Sequence, residues 1–172
     1  MNPILSEQEY VILMAIEKVK DYFKQWNIES RILEFQTSSA TVELAAQAVG
    51  CAPERIAKTL SFKLAEKCVL VVVAGDARID NSKFKAHFKS KAKMLSPEEV
   101  EHLVGHGIGG VCPFAVNGNV DVYLDDSLKR FDTVFPACGS SNSAIELTIA
   151  ELEKYSNSAG WFDLCKDWQP VS

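Results

Sequence analysis

The chain has 172 residues, with 23 acidic against 18 basic side chains, 47% hydrophobic and 24% charged residues. That length and balance belong to an ordinary folded domain, large enough to bury about two thirds of its unfolded surface without cross-links. The longest apolar run, Val69 to Ala74, is far short of the roughly 20 residues a membrane-spanning helix needs. Residues Met1 to Gln8 lack the basic and apolar segments of a secretory signal, and the five widely spaced cysteines contain no C-x-x-C pair. The expectation is a cytoplasmic protein with reduced thiols.

Ser6-Glu-Gln-Glu9 is a capping-box signature, and Tyr10, Leu13, Ile16, Val19 or Phe23, and Trp26 follow at helical spacing. They predict a long amphipathic helix at about 6–26. Ile28 to Phe35 reads as a strand ending in the polar turn Gln36 to Ser39. Thr41 suits the cap of a short helix, Leu44 to Val49, that stops at Gly50. Pro53 to Lys58 reads as another short helix. Thr59 to Leu64 and Cys68 to Ala74 then form two strands joined through Ala65-Glu66-Lys67, the second apolar enough for a sheet centre. Lys58 sits at the expected junction of helix and strand, where a lysine can simply reach back to water.

Asn81 to Lys89 reads as a basic helix, Ala92 to Leu95 as a short strand, and Ser96-Pro-Glu-Glu99 as a second capping box whose helix ends near Leu103. From Arg78 to Lys93 there are six basic residues (Arg78, Lys83, Lys85, Lys89, Lys91, Lys93) and one acid, a local charge of +5 that leaves −10 on the other 156 residues. Because screening confines fields to about 8–10 Å, such a patch can attract phosphates on an acidic protein. It reads equally as a solvated lysine-rich face.

The segment Gly105-His-Gly-Ile-Gly-Gly-Val-Cys-Pro113 is the chain's poorest in side chains. It matches G-x-G-x-x-G, but it follows a predicted helix and precedes Pro113, which is the wrong context for a dinucleotide fingerprint. Its backbone N–H groups around Gly109 to Cys112 could instead hold a carbonyl oxygen or an oxyanion. A tight crossing between two elements is the plainer alternative. His102 and His106 are four apart, yet Gly105 breaks the helix and no third ligand is evident, so no metal is expected. Cys112 beside His106 admits a thiol nucleophile. The Asn117-Gly118 turn with Val116 leads into Val120 to Leu124 as a strand pair. Asp125 to Lys129 is turn or short helix, and Thr133 to Ala137 and Ser143 to Leu147 are strands flanking Gly139-Ser-Ser-Asn142. Thr148 caps a last helix, Ile149 to Tyr155. Strands arriving in runs between helices favour a mixed α+β domain over a doubly wound one.

Taken together, Ile56-Ala-Lys-Thr-Leu60, Gly105-His-x-x-Gly-Gly-Val-Cys-Pro-Phe114 and Gly139-x-x-x-x-Ala-Ile-Glu-Leu147 resemble the YbaK/prolyl-tRNA synthetase-associated family of aminoacyl-tRNA editing deacylases. The resemblance runs from about Ile28 to Leu147. It implies one editing domain over residues 1–172, folded as a mixed, mostly antiparallel barrel-like sheet surrounded by helices. It also implies hydrolysis of mischarged aminoacyl-tRNA, with tRNA(Pro) among the substrates considered, and no cofactor. Aminoacyl-tRNA is the implied partner, with a synthetase as a second. By position, Lys58 and Gly109 become the catalytic pair, Lys58 holding the terminal phosphate or ribose while amides from Gly109 to Cys112 take the ester carbonyl. Thr41, His106, Gly110, Val111, Cys112, Pro113, Phe114, Gly139, Ser140, Ser141 and Asn142 are expected around the substrate, and Arg78, Lys83, Lys85, Lys89, Lys91 and Lys93 on the tRNA backbone. An activated ester needs positioning and oxyanion stabilisation more than a strong nucleophile.

Where cysteine-specific members carry Ser-Gly-Gly-Lys-Arg-Gly-x-Asp, this chain has Ala137-Cys-Gly-Ser-Ser-Asn-Ser-Ala144. Ala137 and Ala144 thus replace polar residues, and a seryl, threonyl or alanyl group comes into view as the one removed. Two rival readings stay open: a tRNA- or synthetase-binding module of the same fold without turnover, and a Cys112/His106 thiol hydrolase.

Overall fold

The computed structural model describes residues 4–65, 67–107 and 109–170. Glu66 in the expected strand connection, Ile108 in the glycine loop, and residues 1–3 of the N-terminal segment lie outside the described residues.

Three reciprocal capping boxes start helices where the sequence marks them. Ser6 and Glu9 open α1 (Glu7–Lys24), Ser96 and Glu99 open α4 (Pro97–Leu103), and Thr148 and Glu151 open α5 (Ile149–Ser156); each satisfies two backbone donors that a helix end otherwise leaves bare. Thr41 caps α2 (Val42–Val49), which ends on Gly50 at φ 75°, and Asp80 caps α3 (Asn81–Phe88). The strands, in chain order, are β1 (Leu33–Glu34), β2 (Ile56–Lys63), β3 (Cys68–Ala74), β4 (Arg78–Ile79), β5 (Val120–Asp125), β6 (Thr133–Pro136), β7 (Ser143–Ala144), β8 (Leu147–Thr148), β9 (Trp161–Phe162) and β10 (Cys165–Lys166).

A mixed six-stranded sheet, ordered β8-β6-β2-β3-β5-β9, curls into half a barrel, and two short ribbons, β1-β7 and β10-β4, flank it. Antiparallel pairings outnumber parallel ones among the described residues, four to three. Every residue of β3 is buried, as its unbroken apolar run requires of a strand covered on both faces. α1 lays Ala15, Ile16, Val19 and Phe23 onto the core, where Phe23 meets Phe114 with ring centroids 4.8 Å apart. Each large side chain so buried contributes about 1.5–3 kcal/mol. Among the described residues no helix is long and apolar enough to cross a membrane.

Several expected elements differ. Ile28 to Phe35 is not one strand: a 3-10 turn occupies Glu29–Arg31 and only Leu33–Glu34 pairs, with Ser143–Ala144. The helix expected at Pro53 to Lys58 is a 3-10 turn over Pro53–Arg55, after which β2 begins at Ile56, so Lys58 lies inside a strand rather than at a junction. Ala92 to Leu95 provides only an isolated bridge, Met94 to Phe62. β5 is not half of a hairpin turned at Asn117-Gly118; it runs parallel to β3 on one side and to β9 on the other. Ser143 to Leu147 splits into β7 and β8, which pair with different strands.

Candidate functional site

β2 pairs with β3 through seven residues, Ala57 to Lys63, but with β6 only through Ile56 and Ala57. Beyond Ala57 the two strands part, and the opening is a cavity of about 290 Å³. Residues Ile56 to Leu60 of β2 form one wall. Val42 and Ala45 of α2, Phe135 and Ala137 at the end of β6, Ser143 and Ala144 of β7, and the segment Ser39 to Thr41 form the others. Gly109 and Val111 of the glycine loop close it. A larger cleft of about 590 Å³ lies between Lys63, Glu99, His102 and Asn117 and holds none of the motif residues.

Lys58 is half-buried, and its Nζ donates to the Gly75 carbonyl oxygen at 3.4 Å. Burial holds the ammonium below its ordinary value, with Arg78 acting in the same direction and Asp76 opposing. A cation held in such surroundings acts on an anionic or dipolar ligand more strongly than one in water.

The glycine loop is pinned from behind. Gly110 rests on the neighbouring turn so closely that a Cβ there would lie 2.6 Å from backbone atoms of Gly139 and Ser140. The Gly110 N–H donates to Gly107 O at 3.2 Å and the Cys112 N–H to His106 Nδ1 at 3.4 Å. Among the described residues, the Gly109 and Val111 N–H groups have no internal acceptor, and these two residues are the ones that reach the cavity. Gly109 stands at φ 78°, a left-handed conformation that glycine adopts without strain.

Of the residues expected around the substrate, Thr41 and Val111 line the cavity beside Lys58 and Gly109. His106, Cys112, Pro113 and Phe114 lie behind the loop, buried in the core, and Gly110 sits between loop and turn. Gly139, Ser140, Ser141 and Asn142 do not reach the cavity wall. Gly139 packs on α1, where a Cβ would meet Ala15 O at 2.9 Å. Ser140 Oγ donates to Asn142 Oδ1 at 2.9 Å and lies 2.7 Å from Ser143 Oγ, while Asn142 Nδ2 donates to Phe35 O at 3.0 Å. These side chains fold the turn itself. Polar wall atoms come instead from residues outside the expected substrate set, among them Ser39, Ser143 and Thr59, whose Oγ1 is buried without a partner. Ala137 and Ala144 are in the wall, so the departures from the polar family residues act on the cavity directly.

The thiol-hydrolase reading loses its geometry here. Cys112 Sγ is 4.0 Å from His106 Nδ1, both residues are fully buried, and neither lines a cavity wall with Lys58. Burial pushes the Cys112 thiol up to about 12 and the His106 imidazole down to about 4, the reverse of what a thiolate-imidazolium pair needs. The two histidines are also apart in character: His102 is exposed on α4 and His106 is buried beyond its end.

The basic stretch is not one free patch. Lys83 is held by Asp163 at 2.9 Å and by Cys165 O at 2.8 Å. Arg78 on β4, Lys85 on α3, Lys89 at its C-terminus, and Lys91 and Lys93 beyond it are exposed.

A family model described as an aminoacyl-tRNA editing domain matches residues 37–155. The Bacillus subtilis (strain 168) protein YwhH, described as uncharacterized, is 56% identical over 157 residues, covering 91% of this chain and 100% of that one. A proline–tRNA ligase of Thermotoga maritima is 33% identical over 78 residues, 45% of this chain and 14% of the ligase. A crystal structure described as a candidate trans-editing enzyme for prolyl-tRNA synthetase superposes with a TM-score of 0.80 at 28% identity, covering 95% of this chain and 99% of that one.

Proposed function

This chain belongs to the aminoacyl-tRNA editing domain family, and from that membership we propose that it is a trans-acting deacylase, one editing domain that hydrolyses the ester of a mischarged aminoacyl-tRNA. The observation that carries the reading is the cavity walled at once by Lys58 and by Gly109 and Val111. In this reading Lys58 fixes the terminal ribose or phosphate by charge. The N–H groups of Gly109 and Val111 meet the ester carbonyl and gain strength as its oxygen becomes an oxyanion. A water, or the adjacent ribose hydroxyl, then attacks a carbonyl already held in line. The wall around Ala45, Ala57, Ala137 and Ala144 carries no charge, which favours an uncharged aminoacyl side chain. Mischarged tRNA(Pro) is the first substrate to test, since proline–tRNA ligases are among the relatives; a synthetase is the partner that would supply it.

The test is a panel of mischarged tRNAs incubated with wild-type protein and with Lys58→Ala. Losing the contact that positions a substrate costs about 100-fold when the reacting atoms shift by about 1 Å. Lys58→Ala is therefore expected to abolish most deacylation without lowering the melting temperature, because the half-buried ammonium is itself unfavourable to folding. A variant with full activity refutes the assignment. A wild-type protein that binds tRNA and cleaves none of the esters favours the binding module without turnover.

A further inference from the structure

The family match ends at residue 155, so β9 and β10 lie beyond it. β10 pairs antiparallel with β4 and sets Lys166 opposite Arg78, and Cys165 opposite Ile79. Neighbouring residues of a strand point to opposite faces. Cys165 is buried, and Arg78 and Lys166 share the other, exposed face. Cβ atoms of directly opposed residues stand about 4.5–5.5 Å apart, where like charges repel.

No ion pair relieves this repulsion, although Asp80 feels the Lys166 charge at longer range. Among the described residues neither Arg78 nor Lys166 has an ion-pair partner. The nearby acids are engaged elsewhere. Asp76 is gripped by Arg130 through two contacts, Asp80 accepts the Ser82 and Lys83 N–H groups at 2.9 and 3.1 Å, and Asp163 holds Lys83. β4 begins three residues after Gly75, the carbonyl that receives Lys58, so Arg78 follows the Lys58 site closely in the chain while neither it nor Lys166 is in the cavity wall itself. The Arg78 charge is also felt at Lys58.

We infer that Arg78 and Lys166 form a two-pronged clamp for a backbone phosphate of the RNA strand whose aminoacylated end enters the cavity. An anion bridging the two heads turns a repulsive cross-strand pair into two charge-assisted hydrogen bonds. The identity of that strand rests on the deacylase reading; the clamp itself can be measured without turnover.

Fluorescence anisotropy of uncharged tRNA, over a range of potassium chloride, is to be compared for wild type, R78Q, K166Q and the double variant. The double variant is expected to bind at least about tenfold more weakly at low salt. Its plot of log affinity against log salt should be shallower by about 0.7, the slope that one neutralised phosphate of a single strand carries. It should also melt at or above the wild-type temperature in dilute buffer, because the opposed charges are gone, whereas a merely structural pair would melt lower. With mischarged substrates, the ratio of kcat/KM on aminoacyl-tRNA to that on aminoacyl-adenosine should fall by a similar factor. Unchanged affinity and salt slope in the double variant overturn the clamp even if the protein is an active deacylase. Variant-sensitive binding by a wild-type protein that cleaves no ester supports the clamp and removes the deacylase reading alone, and a wild type without tRNA affinity overturns both.

Discussion

His106 makes the folded state sensitive to acid in a window that no other group shifted this strongly shares. The ring is 0% exposed and its Nδ1 accepts the Cys112 N–H at 3.4 Å, which requires the neutral form with its proton on Nε2, an atom buried without a partner. Burial, aided by Lys18, holds its pKa at about 4 against an ordinary 6.5. Between those values the unfolded chain binds a proton that the folded chain refuses. The stabilisation is therefore fully present above pH 6.5 and lost as pH falls toward 4. A gap of about 2.5 pH units at about 1.36 kcal/mol each amounts to about 3 kcal/mol, a large fraction of the roughly 5–15 kcal/mol that holds a domain together. Glu99, held down to about 2 by its capping contact with Ser96 and by Lys63, and Glu151, held down to about 2 by Arg31 and then by its capping contact with Thr148, lose their contributions chiefly below about 4.5. Urea unfolding at pH 7.5, 6.0, 5.0 and 4.5 should show wild-type stability falling by about 2–3 kcal/mol over the series. His106→Asn, whose amide oxygen can still accept from Cys112, should be less stable at pH 7.5 but nearly flat. An Asn variant with the wild-type slope would show that the buried imidazole is not the titrating group.

Two further substitutions separate loop packing from loop chemistry. Gly110→Ala puts a methyl group 2.6 Å from backbone of the Gly139-Ser140 turn and should displace the loop, lowering stability by about 1–3 kcal/mol and deacylation with it. Gly118→Ala, with nothing within 4 Å of the added Cβ and no left-handed φ, should leave both unchanged, as thermal melts and ester hydrolysis will show. Cys112→Ser should keep most of the deacylation rate. In native protein, iodoacetamide should label the partly exposed Cys51 before Cys112, whose thiol is buried and pushed up to about 12; mass spectrometry of the labelled chain reads the order.

What the sequence made legible is what is local. A capping box, an αL glycine after an alanine-rich turn, and an unbroken apolar run are decided within four to seven residues, and α1, α2, α4, α5 and β3 stand where those signals put them. Arg55 ends a three-residue 3-10 turn and β2 begins one residue later, because pairing with β3 and β6 overrides the weak helical preference after Pro53. β1, β7, β9 and β10 are two residues long and exist only because a distant segment completes them, Leu33 with Ala144 and Ile79 with Cys165. No periodicity can be read in two residues.

The same distinction divides the site. Lys58 and the glycine loop were visible as motifs, and the Gly139 to Asn142 turn was visible as polar, but polarity did not reveal which way its side chains face. Ser140 and Asn142 have partners within hydrogen-bond reach in their own turn and β1's flank, so they turn inward and leave the wall to Ala137, Ser143 and Ala144. The cavity itself arises from an inequality of pairing: β3 follows β2 for seven residues and β6 for only two. Extending the β2-β6 ladder past Ala57 would close the space in which Lys58 and the loop meet. β6 ends at Pro136, whose carbonyl oxygen turns to accept the Ile145 N–H at 3.0 Å, and the strand that would have filled the cavity stops where the cavity begins.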